Sequence, residues 1–300
     1  METATAPRAE ESSLARRVSA RLFRHPRGKL GLMLGPPLTW MFVVYLLSLA
    51  LLLVTSFWRL NALTSQIEHS WGLQNYQTLV EDSVYRTIVL RTVGMAAAVT
   101  VADLVLAFPI AYYMVRLATP RTRSLLLLAV VLPLWSNYLV RMFSWKIITA
   151  GNGPLESLLG VFGIHASLAA SNWAVWLTFC YLWLPLAILP VYAAFVRLPS
   201  SLLEASSDLG ARGWMTFRRV VVPMIFPGLV AASIFTFSLT LGDYITPITV
   251  GKGFFIGNAI YNLVGLASNL PSAAAFATVP VVVMAIYLTL ARRSGALEAL

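Results

Sequence analysis

The chain has 300 residues, 58% of them hydrophobic and 11% charged, with 22 Lys and Arg against 12 Asp and Glu, a net charge of +10. A soluble domain carries about a quarter charged residues, so that class is excluded and the chain reads as an all-α polytopic membrane protein. Cys180 stands alone, which excludes an internal disulfide and marks a small buried apolar residue, and His25, His69 and His165 fall in three separate loops, which excludes a histidine-based metal site.

Residues 1–30 form a basic leader rich in Ala, Arg, Glu and Ser, expected on the cytoplasmic side. Two readings of it stand open: a short amphipathic helix from Ser13 to Phe23 lying on the membrane lipid, or a basic segment that only fixes topology. The run after Leu30 is too long for the apolar core of a signal peptide and ends on no small-residue cleavage site, so it is read as a retained span. Six windows are long enough to cross about 30 Å of hydrocarbon at 1.5 Å per residue: Leu32 to Phe57, Ile88 to Val115, Leu125 to Ile148, Trp173 to Val196, Met224 to Tyr244 and Ala273 to Leu290. Runs such as Leu49 to Val54 do not alternate, so helices rather than barrel strands are expected. The outer loop from Trp58 to Arg86 offers Trp71, Tyr76 and Tyr85 to the interface, and Leu155 to Gly163 reads as a short amphipathic helix. Prolines recur within the spans at Pro36, Pro37, Pro109, Pro133, Pro185, Pro190, Pro227 and Pro280, each a potential kink.

With the N-terminus inside, sixteen of the twenty-two basic residues lie in cytoplasmic segments, so both termini are expected in the cytoplasm. The positive charge is then a product of topology, and no basic domain suited to nucleic acid is left. Residues 31–293 form one transmembrane domain, followed by a tail at 294–300.

Between the fourth and fifth windows lies a polar island, 199–223. Ser201 and Glu204 have capping-box spacing, so a helix from Leu202 to Leu209 is expected, then a bend at Gly210 and a second helix from Gly213 to Val222 that ends at Pro223. Glu204, Asp208 and Arg212 can share one side if helical geometry continues, with Leu203, Trp214 and Phe217 offering apolar contact. An ordinary turn-rich loop has the same composition.

A family resemblance decides between them. Glu204-Ala205-Ser206, a three-residue gap, Gly210, nine residues, then Val220-x-Val222-Pro223 resembles the EAA loop of ABC importer permeases, with Ser206 for the second alanine and valines for the usual isoleucine and leucine. Leu132-Pro133-Leu134-Trp135-Ser136-Asn137-Tyr138-Leu139-Val140-Arg141 is similar to the third-span signature of spermidine/putrescine-type permeases. Gly151-Asn152-Gly153-Pro154-Leu155, Gly242-Asp243-Tyr244-Ile245-Thr246-Pro247 and Ile256-Gly257-Asn258-Ala259-Ile260 also resemble that branch.

The resemblance implies a type I ABC importer-like fold in a bacterial inner membrane, with Glu204, Ala205, Ser206, Asp208, Gly210 and Arg212 at the joint with an ATPase. The implied partners are an ATP-binding subunit dimer, a second homologous permease and an extracytoplasmic solute-binding protein. Gly251-Lys252-Gly253 lacks the spacing and hydroxyl of a phosphate loop, so this chain is expected to bind no cofactor and to be no enzyme; ATP and Mg belong to the partner. A polyamine is the implied cargo, with opines, amino-acid derivatives or other small solutes as alternatives.

Charges inside a span cost about 2.5–3.5 kcal/mol, which singles out Asp103 and Asp243. Carboxylates with aromatic faces suit a polyamine, so the expected pathway residues are Asp103, Trp135, Asn137, Tyr138, Asp243 and Tyr244. Asp103 could instead pair with Arg91, Arg141 or Lys146 and only hold the bundle together. A secondary transporter using either acid as an ion relay is the rival class. A membrane enzyme lacks any nucleophile–base or metal constellation in this sequence.

Overall fold

The computed structural model describes residues 26–61, 64–163 and 167–293. The Ser13 to Phe23 segment and the 294–300 tail lie outside the described residues. The chain divides into two compact units, Met1–Thr55 and Ser56–Leu300.

The first unit holds α1 (Pro26–Met41), a wider π turn (Phe42–Leu46) and α2 (Leu47–Thr55), with an apolar crossing at Met33–Thr55. Ser48 and Thr55 return their hydroxyls to the carbonyls of Tyr45 and Leu52, at 3.0 and 2.8 Å, so neither polar atom is left unsatisfied in lipid.

The second unit begins with a short hairpin, β1 (Arg59–Leu60) antiparallel to β2 (Ile67–Glu68), in the register Arg59↔Glu68 and Leu60↔Ile67. Then come α3 (Gln74–Glu81), α4 (Ser83–Tyr112), α5 (Pro120–Trp135), α6 (Tyr138–Ile148), α7 (Pro154–Val161), α8 (Asn172–Arg197) and α9 (Ser200–Asp208). The chain continues through α10 (Gly213–Thr216), α11 (Val222–Gly242), α12 (Ile245–Val250), α13 (Ile256–Gly265) and α14 (Leu270–Arg293). Among the described residues five helical stretches are long and apolar enough to cross a membrane, and six if α5 and α6 together make one span.

That third crossing is not one helix. The window from Leu125 to Ile148 breaks at Ser136–Asn137, where α5 and α6 meet at 95°. Ser136 donates its hydroxyl to the carbonyl of Pro133 at 2.7 Å, and the side-chain oxygen of Asn137 accepts from Leu139 N at 2.8 Å. These local bonds each satisfy one backbone group freed at the break and offset part of the cost of interrupting the ladder.

Three π turns stand beside prolines. Phe42–Leu46 follows Pro37, Tyr113–Leu117 follows Pro109, and Phe217–Val221 precedes Pro223. At Pro223 the missing N–H removes the bond to the Arg219 carbonyl and the ring crowds it, so the helix widens in the third of these turns.

Helix α8 is the axis of the core, packed between α4 and α11. Ala107, Ala111 and Met114 meet Ile188, Val191 and Phe195, with Val221, Ile225 and Ala232 closing the cluster. Helix α11 approaches α8 closely at Gly228, where a Cβ would stand 2.4 Å from Ala194 Cβ and 2.9 Å from Pro190 O. Small residues at a crossing give membrane helices their contact. Hydroxyls add to it: Thr236 donates to Thr100 at 3.2 Å, Tyr287 to Ser233 at 2.6 Å, and Ile256 N to Thr92 at 3.0 Å. At the other face, large apolar side chains such as Leu90, Val101 and Val281 are exposed, as lipid contact requires.

Candidate functional site

The polar island folds as a helical hairpin at the end of the unit that carries Arg116, Arg123 and Arg197. Helix α9 begins at Ser200, because Pro199 with φ −65° and ψ 135° stands just before it, and no side chain caps it. The Ser201–Glu204 capping box is therefore not formed: Ser201 is already inside the first turn, where its hydroxyl cannot reach the exposed amides. The helix ends as its glycine requires. Gly210, at φ +74°, lets its N–H bond Ser207 O at 2.9 Å and Ala211 N bond Ser206 O at 3.1 Å, which closes the end of α9 with a paired Schellman geometry.

The second arm differs from its expected form. Helix α10 passes through the Phe217–Val221 π turn straight into α11, so Gly213–Gly242 is a continuous crossing and Pro223 widens the helix without ending it. The two arms are tied by a 2.8 Å hydrogen bond between the hydroxyls of Ser206 and Thr216. Arg212 lies after the bend with extended backbone and so leaves the helical face of Glu204 and Asp208.

The hairpin has an inward and an outward face. Leu203 and Phe217 pack inward beside Phe108, and with Arg116, Leu198 and Ser207 they line a cleft of about 390 Å³. An aromatic series enters the core from this base: Trp214 stacks on Phe217 at 5.3 Å, Phe217 meets Phe108 edge-on at 5.5 Å, and Phe108 meets Phe195 at 5.2 Å. Arg116 donates to Leu198 O at 2.7 Å, joining the π turn after α4 to the end of α8, and Arg123 donates to the Tyr192 hydroxyl at 2.6 Å. Outward stand Glu204, Ala205, Asp208, Gly210, Arg212 and Trp214, all exposed, with Leu209 87% exposed at the tip.

The second group lies among the spans. Asp243 Oδ1 accepts from Ile245 N at 2.8 Å and Thr246 N at 3.2 Å, opening α12. Its Oδ2 accepts from the hydroxyls of Thr246, at 2.8 Å, and of Tyr138. Tyr138 thereby joins α6 to the α11–α12 bend and also stacks on Trp183 at 6.2 Å. Tyr244 stacks on Tyr261 at 5.4 Å, and Trp135 is 79% exposed beside the break that Asn137 caps. The structure thus brings Trp135, Asn137, Tyr138, Asp243 and Tyr244 to one region.

Asp103 sits apart from these, fully buried on α4, within electrostatic reach of Cys180 on α8. Neither of its oxygens has a hydrogen-bond partner, and it pairs with none of Arg91, Arg141 or Lys146. Trp183 Nε1, one turn beyond Cys180, is likewise buried without a partner, as are Arg141 Nε and Nη1. Trp183, Tyr138 and Asp243 are joined from α8 through α6 to the end of α11 by the Tyr138–Trp183 stack and the Tyr138–Asp243 hydrogen bond. Unsatisfied buried polar groups are uncommon in membrane interiors. Among the described residues no group of three or more His, Cys, Asp and Glu side chains is gathered to hold a metal ion.

Sequence reasoning missed Arg116, Thr246 and Trp183. Arg116 is one basic residue among many at the cytoplasmic end, Thr246 carries no charge to single it out, and Trp183 has no signal beyond lying one turn from Cys180.

A helical hairpin on a basic end, continuous with an apolar crossing, fits the membrane subunit of a transporter. The profile of the binding-protein-dependent transport system inner membrane component family matches residues 30–294. The chain belongs to that family, as a permease subunit of an ABC importer in the inner membrane. It is 42% identical over 299 residues to the inner membrane ABC transporter permease protein YdcU of Escherichia coli K12, covering 95% of each chain. It is 30% identical to the spermidine/putrescine transport system permease protein PotB of Haemophilus influenzae, over 75% of this chain and 80% of that one. Among solved structures, a bacterial alginate ABC transporter in complex with an alginate pentasaccharide-bound periplasmic protein matches with a TM-score of 0.73 at 15% identity, covering 94% of this chain and 98% of that one. That likeness speaks for the type I importer fold alone.

Proposed function

We propose that this permease passes a small cationic solute of the polyamine class inward, driven by ATP hydrolysis on a partner and supplied by an extracytoplasmic solute-binding protein. The permease domain is 31–293, and the 199–223 hairpin is its coupling loop. The observation that carries the reading is the two-faced hairpin. Its base is bound into the α4–α8–α11 core, while Glu204, Ala205, Asp208, Leu209, Gly210 and Arg212 stand exposed on a braced tip. A rigid tip with a carboxylate and an exposed leucine suits a cleft in a second protein, where the carboxylate makes charge-assisted hydrogen bonds and the leucine is covered. Ser206 serves from within, as the brace to Thr216.

The ATP-binding dimer, with ATP and Mg, and a second permease complete the machine. For the cargo, the spermidine/putrescine relatives support a polyamine. So does the chemistry: Asp103 has two free acceptor oxygens, and Trp135, Tyr138 and Tyr244 offer ring faces to an ammonium group. Asp243 acts as the anchor that holds Tyr138 in place, and Asn137 shapes the break.

The test is ATP-dependent uptake by proteoliposomes holding the complete importer and its binding protein. Labelled spermidine or putrescine should accumulate, and Glu204→Ala should abolish accumulation while the subunit stays inserted. Uptake of an opine or amino-acid derivative instead would replace the cargo and leave the coupling reading intact. Uptake driven by an ion gradient without ATP would remove both.

A further inference from the structure

Away from the hairpin and the buried polar groups, two cavities meet at one cation. Arg91 on α4 lines a cleft of about 510 Å³ with Ser83, Thr87, Phe254 and Asn262. It also lines a groove of about 810 Å³ that runs along the lipid-facing side of α4 past Gly94, Ala98, Val101 and Val105, walled by Trp173 and Trp176 of α8. The first cavity carries hydroxyl and amide groups and the second is apolar, so the pair is amphipathic with a positive charge at the junction.

The guanidinium has no hydrogen-bond or ion-pair partner among the described residues. It rests against Gly253, where a Cβ would stand 3.0 Å from Nη1 and 3.3 Å from the side-chain oxygen of Asn172. An unpaired, half-buried cation in a span is costly unless an anion meets it. Depth points the same way. The crossing Ser83–Leu117 is 35 residues long, with its midpoint near Thr100, so Arg91 lies about 14 Å from that midpoint. Half of the hydrocarbon thickness is about 15 Å, which puts Arg91 at the headgroup boundary. Trp173 and Trp176, edge-to-face at 5.9 Å, stand at the same junction, as interfacial aromatics do. From Arg91 to Val105 the groove is about 21 Å long, enough for one acyl chain to reach past the midplane. Its floor is deep because Gly94 and Ala98 have little or no side chain.

We infer that Arg91 and this groove bind an anionic phospholipid of the outer leaflet, the phosphate on Arg91 and Asn172 and one acyl chain over Gly94, Ala98 and Val101. Charge complementarity selects the occupant, since a purely apolar helix would leave Arg91 buried and unpaired. The test is native mass spectrometry of the purified full-length chain, and of the assembled importer, after equal exposure to phosphatidylglycerol and phosphatidylcholine. Wild type should retain phosphatidylglycerol over phosphatidylcholine by about fivefold. Arg91→Gln should remove the discrimination, Ala98→Leu should remove retention of both lipids, and Arg86→Gln, at an exposed arginine outside both cavities, should change neither. Retention in Arg91→Gln and Ala98→Leu equal to wild type would overturn the site. Efficient cross-linking of an Ala98→Cys chain to the second permease, with no lipid retained by the importer, would overturn it in favour of a protein occupant.

Discussion

Asp103 and Asp243 look alike in the sequence, two acids in apolar surroundings, and the fold separates their chemistry. Asp243 accepts four hydrogen bonds, two from backbone N–H groups and two from hydroxyls. A carboxylate so satisfied is a structural joint. Tyr138→Phe removes one donor and should lower stability by about 1–2 kcal/mol, seen as an earlier thermal unfolding transition of the detergent-purified subunit. Asp103 accepts none, so Asp103→Asn should leave that transition nearly unchanged. On the proposed path it should cut spermidine uptake about tenfold, roughly the worth of one charge-assisted contact. Equal uptake by Asp103→Asn and wild type would remove Asp103 from the path. This difference was hidden in the sequence because it depends on Tyr138 and Thr246 arriving from other elements, 105 and three residues away.

At the scale of elements, the helix–glycine–helix hairpin was legible because Gly210 must adopt positive φ and the spacing around it is fixed by that bend. Its capping box was not, since Pro199 moves the helix start to Ser200 and leaves Ser201 nothing to cap. The break at Ser136–Asn137 also escaped. Hydropathy averages over a span, and two polar residues in an apolar window weigh little against their neighbours, although their side chains end both helices. The hairpin's own logic yields two predictions. Gly210→Ala forces a Cβ into the left-handed region and should cost about 1–2 kcal/mol, measured as lower thermal stability of the subunit together with weaker ATPase association. Phe217→Ala removes the ring between Trp214 and Phe108, so the tip should keep its partner while its motion no longer reaches α4 and α8. ATPase activity should then persist without uptake, and a parallel loss of both would mean that Phe217 serves assembly alone.

For the whole molecule, the apolar windows and the Lys and Arg asymmetry carried the architecture, because bilayer thickness and charge translocation act on sequence before any tertiary contact forms. The packing was not legible: the central place of α8 depends on Gly228 meeting Pro190 and Ala194, a contact no spacing announces. Gly228→Val should cost about 1–3 kcal/mol through overpacking at that crossing, read as loss of folded subunit from detergent extracts. Coupling through the hairpin requires its tip to meet an ATPase on the cytoplasmic side. A photo-reactive residue in place of Leu209, in inner-membrane vesicles holding the assembled importer, measures this directly. Docking of the tip should give a covalent adduct with the ATP-binding subunit and none from the same probe at Trp71 in the outer loop. No adduct from Leu209 in an importer that still takes up its solute would contradict it.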